Sequence, residues 1–359
     1  MKEKADELIN ALKKFKNILI LVKGSPDPDV LASSFAIKII CDHLGIKAQI
    51  AGKQKLSLPQ NKVFVNKLGI HLKITEHPAS IDKFDAYAVL DHQSAKMDDP
   101  SELPCVLHID HHDKIKEDIH PVFSCLMSDT GSTCTIIALL LQELNIEFKH
   151  SEKRDIMTAL LFGLQTDTDN YNLASRYDFE ALKYIAVDAD NELINKISGV
   201  PMSAATSVGL DRAVTEHIVY KDWFIAGVGY IKESERDSIA IIADILTKRH
   251  KGDVVFVFAI IQRKKNPKLM LDVSIRTGNA DIDLNRIIKH ITVFGGARRF
   301  KGAFQVDLDF FEHYPDKQSL WDIVSATTLE AIKQQRDKKI PSDIKGFIWK
   351  RFKRRFNIE

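Results

Sequence analysis

The chain has 359 residues, 45% of them hydrophobic and 28% charged, which is the make-up of a soluble globular protein long enough for two domains without staples. A formal net charge of +2 excludes a chain-wide polyanion-binding surface, so affinity for nucleic acid or membrane must come from a local patch. The four cysteines, Cys41, Cys105, Cys125 and Cys134, form no CxxC pair. That gives no support to a disulfide framework or a zinc finger, and it makes a reducing, cytoplasmic setting the default expectation.

The first long apolar run, Ile18–Val22, is far short of the roughly 18–20 apolar residues a membrane span needs. No small-residue cleavage site follows it, so it reads as a buried strand rather than a signal peptide. Gly24-Ser25-Pro26 ends it as a loop. Leu31–Leu44 then has helical spacing, with Gly45 as its cap. Ala48–Ala51, Ala86–Leu90 and Val106–Ile109 read as further strands, and Thr130–Leu144 and Ile156–Leu164 as helices. Strand-helix alternation of this kind predicts a parallel α/β sheet. A helical stretch spans 178–195, and the Ser-, Gly- and Pro-rich Ser198–Ser207 marks a linker. Beyond it, Phe224–Ile231, Asp253–Ile261, Lys268–Arg276 and Gln305–Phe310 read as strands, and Asp237–His250 and Asn285–Ile291 as helices. The chain is helical again from Gln318 and then increasingly basic. The expected division is a first domain over 1–197, a linker over 198–222, a smaller α/β domain over 223–315 and a helical basic extension over 316–359.

Acids sit at strand ends. Asp27-Pro28-Asp29 follows the first strand, Asp91 the third and Asp110-His111-His112 the fourth, while Asp167 and Asp169 flank Thr168 after an apolar helix. In open parallel sheets, ligands bind at the carboxyl ends of strands. A single Asp there is most often a turn or helix cap. Several on separate strands can converge on one site. Clustered carboxylates and imidazoles offer hard oxygen and borderline nitrogen ligands, which suit Mn2+ or Mg2+ better than a thiolate-loving metal. Two such ions would clamp a phosphoryl group.

The ordered motifs resemble those of the DHH phosphoesterases, a superfamily that includes RecJ-like exonucleases, nanoRNases, exopolyphosphatases and family II pyrophosphatases. The resemblance is carried by Lys23-Gly24-Ser25-Pro26-Asp27-Pro28-Asp29, Val89-Leu90-Asp91-His92, His108-Ile109-Asp110-His111-His112 and Gly163-Leu164-Gln165-Thr166-Asp167-Thr168, over roughly residues 16 to 312. Ser274-Ile275-Arg276-Thr277 and Gly295-Gly296-Ala297-Arg298 resemble the signatures of the DHH-associated C-terminal domain. The resemblance implies a parallel-sheet DHH domain with a second, smaller α/β domain and the active site in the cleft between them. It implies Asp27 and Asp91 as ligands of one metal, and Asp29, Asp91, His111 and Asp167 as ligands of a second, with Asp91 bridging. Asp110 matches the acid that orients a histidine, and His112 a residue near the scissile phosphate. Arg276 and the Gly295-Gly296 loop match substrate contacts.

Two departures from the pattern stand out. Lys23 occupies the place of the first-motif histidine, and a protonated amine is no metal ligand, so the first metal site keeps only Asp27 and Asp91 and is expected to be weak. Arg298 ends the glycine-rich loop where the family has histidine, and a guanidinium fork suits phosphate. Asp169 stands where many members have glycine. The expected function is metal-dependent hydrolysis of phosphodiester or phosphoanhydride bonds in short oligonucleotides or nucleotides. An exopolyphosphatase-like hydrolase and a catalytically weakened nucleotide-binding or sensor protein are the rivals. The sequence is compatible with a homodimer. In the tail, Trp349, Phe352 and Phe356 interleave with Lys350, Arg351, Lys353, Arg354 and Arg355. That pattern suits nucleic acid or an anionic membrane surface, and equally a helix packed by its aromatic side on the body.

Overall fold

The computed structural model describes residues 1–56, 58–75, 83–97, 103–113, 119–250, 252–264, 268–297 and 299–337. The chain divides into two units, Met1–Pro201 and Met202–Glu359. The first unit runs α1 (Lys2–Leu12), β1 (Asn17–Val22), α2 (Pro28–His43), β2 (Lys47–Gly52), α3 (Pro59–Lys67), β3 (Leu72–Ile74), β4 (Ala86–Leu90), β5 (Cys105–Asp110), β6 (Phe123–Leu126), α4 (Thr133–Glu143), α5 (His150–Asp167), α6 (Arg176–Ile185) and α7 (Asn191–Ser198). Its six strands are all parallel, in the order β3-β2-β1-β4-β5-β6.

That order follows from the apolar runs the sequence shows. β4 and β5 are buried along their whole length, as strands covered on both faces must be. On one face Ile18, Ile20, Ala88 and Ile109 join the large core made by the helices. On the other, Leu19, Tyr87, Val89 and Ala95 form a smaller cluster. The chain leaves β1 toward β2 and β3 on one side, then returns to place β4 on the other. The gap between the carboxyl ends of β1 and β4 is therefore the topological switch point, where such sheets bind ligands.

The second unit runs α8 (Ala204–Thr215), β7 (Ile218–Tyr220), β8 (Trp223–Lys232), α9 (Ser238–Arg249), β9 (Val254–Gln262), β10 (Leu269–Thr277), α10 (Leu284–Ile291), β11 (Gly295–Ala297), β12 (Lys301–Asp307) and α11 (Lys317–Asp337). Its sheet has the order β11-β12-β10-β9-β8-β7, with β8 and β9 parallel and the other pairs antiparallel. Separate clusters cover its faces, one around Phe256, Phe258 and Trp321, the other around Ile239, Ile242 and Val257.

Several boundaries differ from the sequence reading. The helix expected from Thr130 begins at Thr133, because the Ser132 hydroxyl accepts the Thr135 N–H at 3.1 Å and caps it there. The stretch 178–195 is two helices, with Asp190 capping α7 through the Leu193 N–H at 2.8 Å. Residues 198–222 carry α8 and β7 rather than only a linker; Ser203 caps α8, and β7 pairs with β8. The last strand is Lys301–Asp307, not Gln305–Phe310. The Gly295-Gly296 loop is the edge strand β11, where a side chain at Gly295 would meet the Phe304 side chain and the Ala303 carbonyl. All four cysteines are free and buried. Among the described residues, no helix is long and apolar enough to cross a membrane. The basic tail over 338–359 and Arg298 lie outside the described residues.

Candidate functional site

Asp27 closes the loop after β1 and serves as N-cap of α2, its Oδ1 accepting the Val30 N–H at 3.1 Å. Pro28 occupies the first turn, where its fixed φ suits a helix start. Asp29 then points into the protein, only 1% exposed. Both of its oxygens meet the N-terminus of α4. Oδ2 accepts the Thr133 N–H and Oδ1 the Cys134 N–H, each at 2.7 Å. A helix N-terminus is a natural seat for a buried carboxylate.

Asp91 leaves β4 in the left-handed region, φ 53°, a conformation Asp tolerates better than most residues. Its Oδ1 lies 3.4 Å from His111 Nε2 and accepts from Thr133 Oγ1 at 3.3 Å. His111 Nε2 is also 3.1 Å from Asp167 Oδ2, at the end of α5, while its Nδ1 faces the Thr130 carbonyl at 3.4 Å. His112 Nδ1 meets Asp110 Oδ1 at 2.6 Å, and the two imidazole rings are 4.2 Å apart.

Asp167 reaches this group because α5 lies close against the start of α2. Gly163, one turn earlier, permits the approach. A Cβ there would meet the Cys134 sulfur and come within 3.1 Å of the Pro28 carbonyl and 3.2 Å of the Asp29 Cα. Thr168 and Asp169 then end α5. Asp169 takes φ 50° at the position that usually favours glycine, and the Asn170 N–H returns to the Gln165 carbonyl at 2.8 Å. Asp169 therefore terminates the helix; its Oδ2 accepts from Asn172 at 3.4 Å.

The charges in this cluster oppose one another. Burial, followed by the neighbouring Asp167 charge, pushes Asp27 up to about 6, although part of the residue remains open to solvent. Burial raises Asp29, and burial plus the Asp29 and Asp27 charges raises Asp91 well above the carboxylate range. For His111, burial alone would lower the pKa, but the Asp91 hydrogen bond and the charges of Asp29, Asp167 and Asp91 outweigh it and hold the ring up to about 10. Asp110 is the exception among the acids: burial would raise it, yet the His112 hydrogen bond and the imidazole charges keep it lowered.

Among the described residues, two groups could hold a metal ion: Asp29, His111 and Asp167, and Asp91, His111 and His112, with the ligand atoms of each group within 4.8 Å of one another. The donor set fits a hard or borderline divalent cation, since it mixes carboxylate oxygens with imidazole and contains no thiolate. Both groups draw on His111. The His112 nitrogen nearest Asp91, Nδ1 at 3.7 Å, already faces Asp110.

The residues expected from the sequence thus divide. Asp29, Asp91, Asp110, His111, His112 and Asp167 come together, with Asp27 near enough for its charge to act on Asp91. Lys23 donates to the carbonyls of Lys96 at 2.6 Å and Ser94 at 3.2 Å, and so ties down the loop that follows Asp91. Arg276, in the second unit, is buried and paired with Asp244 at 2.5 Å, with a further bond to the Ile275 carbonyl. The turn Thr130–Ser132 and the start of α4 carry polar groups of this site that the sequence pattern does not single out. The one legible signal there is Ser132 just before an apolar run, the mark of a helix start.

Residues 17–164 match the model of the DHH family, N-terminal domain. An uncharacterized protein of Methanocaldococcus jannaschii is 31% identical over 329 residues, covering 90% of this chain and 65% of that protein, so this chain spans less than two thirds of its relative. A second uncharacterized protein of that organism is 25% identical over 268 residues, 72% of this chain and 76% of the other. An exopolyphosphatase-related protein from Bacteroides fragilis shares the fold, with a TM-score of 0.69 at 16% identity, covering 93% of this chain and 97% of that one.

Proposed function

We propose that this chain, whose residues 17–164 match the DHH family's N-terminal domain, is a divalent-metal-dependent phosphoesterase that hydrolyses phosphodiester or phosphoanhydride bonds of short oligonucleotides or nucleotides. One observation carries this reading: donor atoms of Asp29, His111 and Asp167 lie within 4.8 Å of one another at the switch point of a parallel sheet, with Asp91 beside them. Those four residues are the proposed ligands. A divalent cation there supplies electrostatic stabilisation of phosphoryl oxygens and lowers the pKa of a water molecule. Mn2+ is the proposed ion. A second one, at Asp27 and Asp91, is proposed to bind weakly, because Lys23 stands where the family has a histidine ligand and its amine is given to the carbonyls of Ser94 and Lys96.

The chain's own groups do the remaining work. Asp29 is fixed by two backbone N–H groups, so its oxygens do not rotate. Asp110 holds the Nδ1 side of His112, which leaves Nε2 to manage a proton at the substrate. The second unit is proposed as the DHH-associated substrate-binding domain, with Arg276 sharing its guanidinium between Asp244 and a substrate phosphate and Gly295 and Gly296 admitting the ligand near the backbone.

The commitment of the Lys23 amine to two carbonyls favours one rival, a ligand-binding protein with little turnover. The test is a screen of purified protein with Mn2+ against dinucleotides, cyclic dinucleotides, adenosine 3′,5′-bisphosphate and polyphosphate. Release of mononucleotide from a dinucleotide is the expected result. Phosphate release from polyphosphate alone would favour the exopolyphosphatase-like reading. Tight binding without any product would establish the rival.

A further inference from the structure

Asp178, on the first turn of α6, is 1% exposed and lies outside the ligand cluster. Its carboxylate accepts the Ser175 N–H at 2.6 Å, which is a local helix-start bond. Its other bonds are not local. Both oxygens accept the Gly131 N–H, at 2.9 and 3.0 Å, and Oδ1 takes the Thr135 hydroxyl in a short bond. Thr135 in turn meets Ser132, hydroxyl to hydroxyl at 3.0 Å. One buried carboxylate thus holds the turn between β6 and α4 from both sides.

That turn touches Asp29, Asp91 and His111, and the neighbour of Asp167. The Thr133 and Cys134 N–H groups hold Asp29, the Thr133 hydroxyl bonds Asp91, and the Thr130 carbonyl faces His111. At Gly131 the turn presses on the end of α5. A Cβ there would lie 2.6 Å from Thr168 Cγ2 and 2.9 Å from Asp178 Oδ2, so no other residue fits between Asp178 and the neighbour of Asp167.

We propose that Asp178 is a positioning residue for the metal-ligand cluster, setting Asp29, Asp91 and His111 through the turn Thr130–Cys134. It acts at a distance: a buried, fully bonded carboxylate fixes the backbone N–H groups that in turn fix the ligands. The inference rests on the reading that the cluster holds a divalent cation.

The experiment titrates Mn2+ into chelator-treated protein, following the free ion by electron paramagnetic resonance well below the melting temperature. The proteins are wild type, Asp178→Asn and Ile185→Val. The last removes a core methyl from the same helix, away from the turn. Asp178→Asn turns an amide N–H toward donors that need an acceptor, and is expected to weaken Mn2+ binding roughly 10- to 100-fold. Ile185→Val is expected to bind as wild type does, although both variants melt lower. Should Asp178→Asn fail to fold, Thr135→Val removes a single donor at constant shape and is expected to bind several-fold more weakly than wild type. Wild-type affinity in a folded Asp178→Asn, or in Thr135→Val where that variant is used, overturns the inference while leaving the phosphoesterase reading intact. Equal weakening in Ile185→Val also overturns it, since that would be loss of stability alone. Absence of Mn2+ binding in wild type would sink the metal reading and the inference with it.

Discussion

The two sheets handle charge in opposite ways. Among the described residues of the second unit, several buried or half-buried charges meet a counter-charge: Arg276 with Asp244, Arg236 with Asp272, and Arg336 with Asp222 in a two-bond pair at 2.6 and 2.8 Å. In the first unit the carboxylates of Asp27, Asp29 and Asp91 stand among one another, and their pKa values rise. Pairing of opposite charges is what a stable fold does with them. Like charges packed together are a cost to the fold, and they mark a place selected for binding.

Mutation of the acids should separate activity from stability. Asp91→Asn, which keeps a side chain tolerant of the left-handed backbone, should abolish hydrolysis, well beyond the roughly 10- to 100-fold typical of outer-shell changes. The same variant without metal should melt no lower than wild type, because it lifts the repulsion from Asp29 and Asp27 and keeps an oxygen to accept from Thr133 Oγ1, which offsets the lost contact with His111. Steady-state kinetics and melting of chelator-treated protein check the two halves. Near-normal turnover would put the chemistry elsewhere.

The protonation of His111 gives a pH signature. Its folded pKa, near 10, lies above the unfolded value of 6.5. The stability it contributes to metal-free protein is therefore fully present below about pH 6.5 and lost as pH rises toward 10. Melting temperatures of chelator-treated protein should show this decline, and His111→Gln should flatten it. An equal slope in both proteins would remove His111 from the network.

A smaller effect is expected from the paired unit. Arg336→Ala breaks a bidentate pair whose side chains are each 34% exposed, and should cost about 1 kcal/mol, roughly 2–4 °C in melting, with kcat unchanged. A fall in kcat would mean that this pair, too, serves the site. The smallest change goes the other way. Asp169→Gly places the residue with least penalty at φ 50° and should add a few tenths to about 1 kcal/mol in a denaturant titration. A loss of stability would show that the Asp169 side chain holds the turn.

Much of this was legible in one dimension. The runs Ile18–Val22, Ala86–Leu90 and Val106–Ile109 announce buried parallel strands, since strands covered on both faces need apolar residues at every position. The acids after them announce a site, because carboxyl ends of parallel strands are where such sheets bind. Less of the second unit's detail was readable. Gly295-Gly296 has the composition of a loop, yet packing on Phe304 makes it an edge strand, and Arg276 is held by an acid on α9 that no local pattern indicates.

The sequence by itself determined the buried strands β1, β4 and β5, the order of the acids and the residue chemistry of the cluster, all of which depend on local pattern and side-chain type. Only the tertiary structure decided how those acids are held. Asp29 lies 104 residues from the Thr133 N–H it accepts, Lys23 reaches carbonyls 71 and 73 residues on, and Asp178 grips Gly131 across 47 residues. Such partners are chosen by the register of a sheet and the closeness of two helices. Neither leaves a trace in spacing or composition.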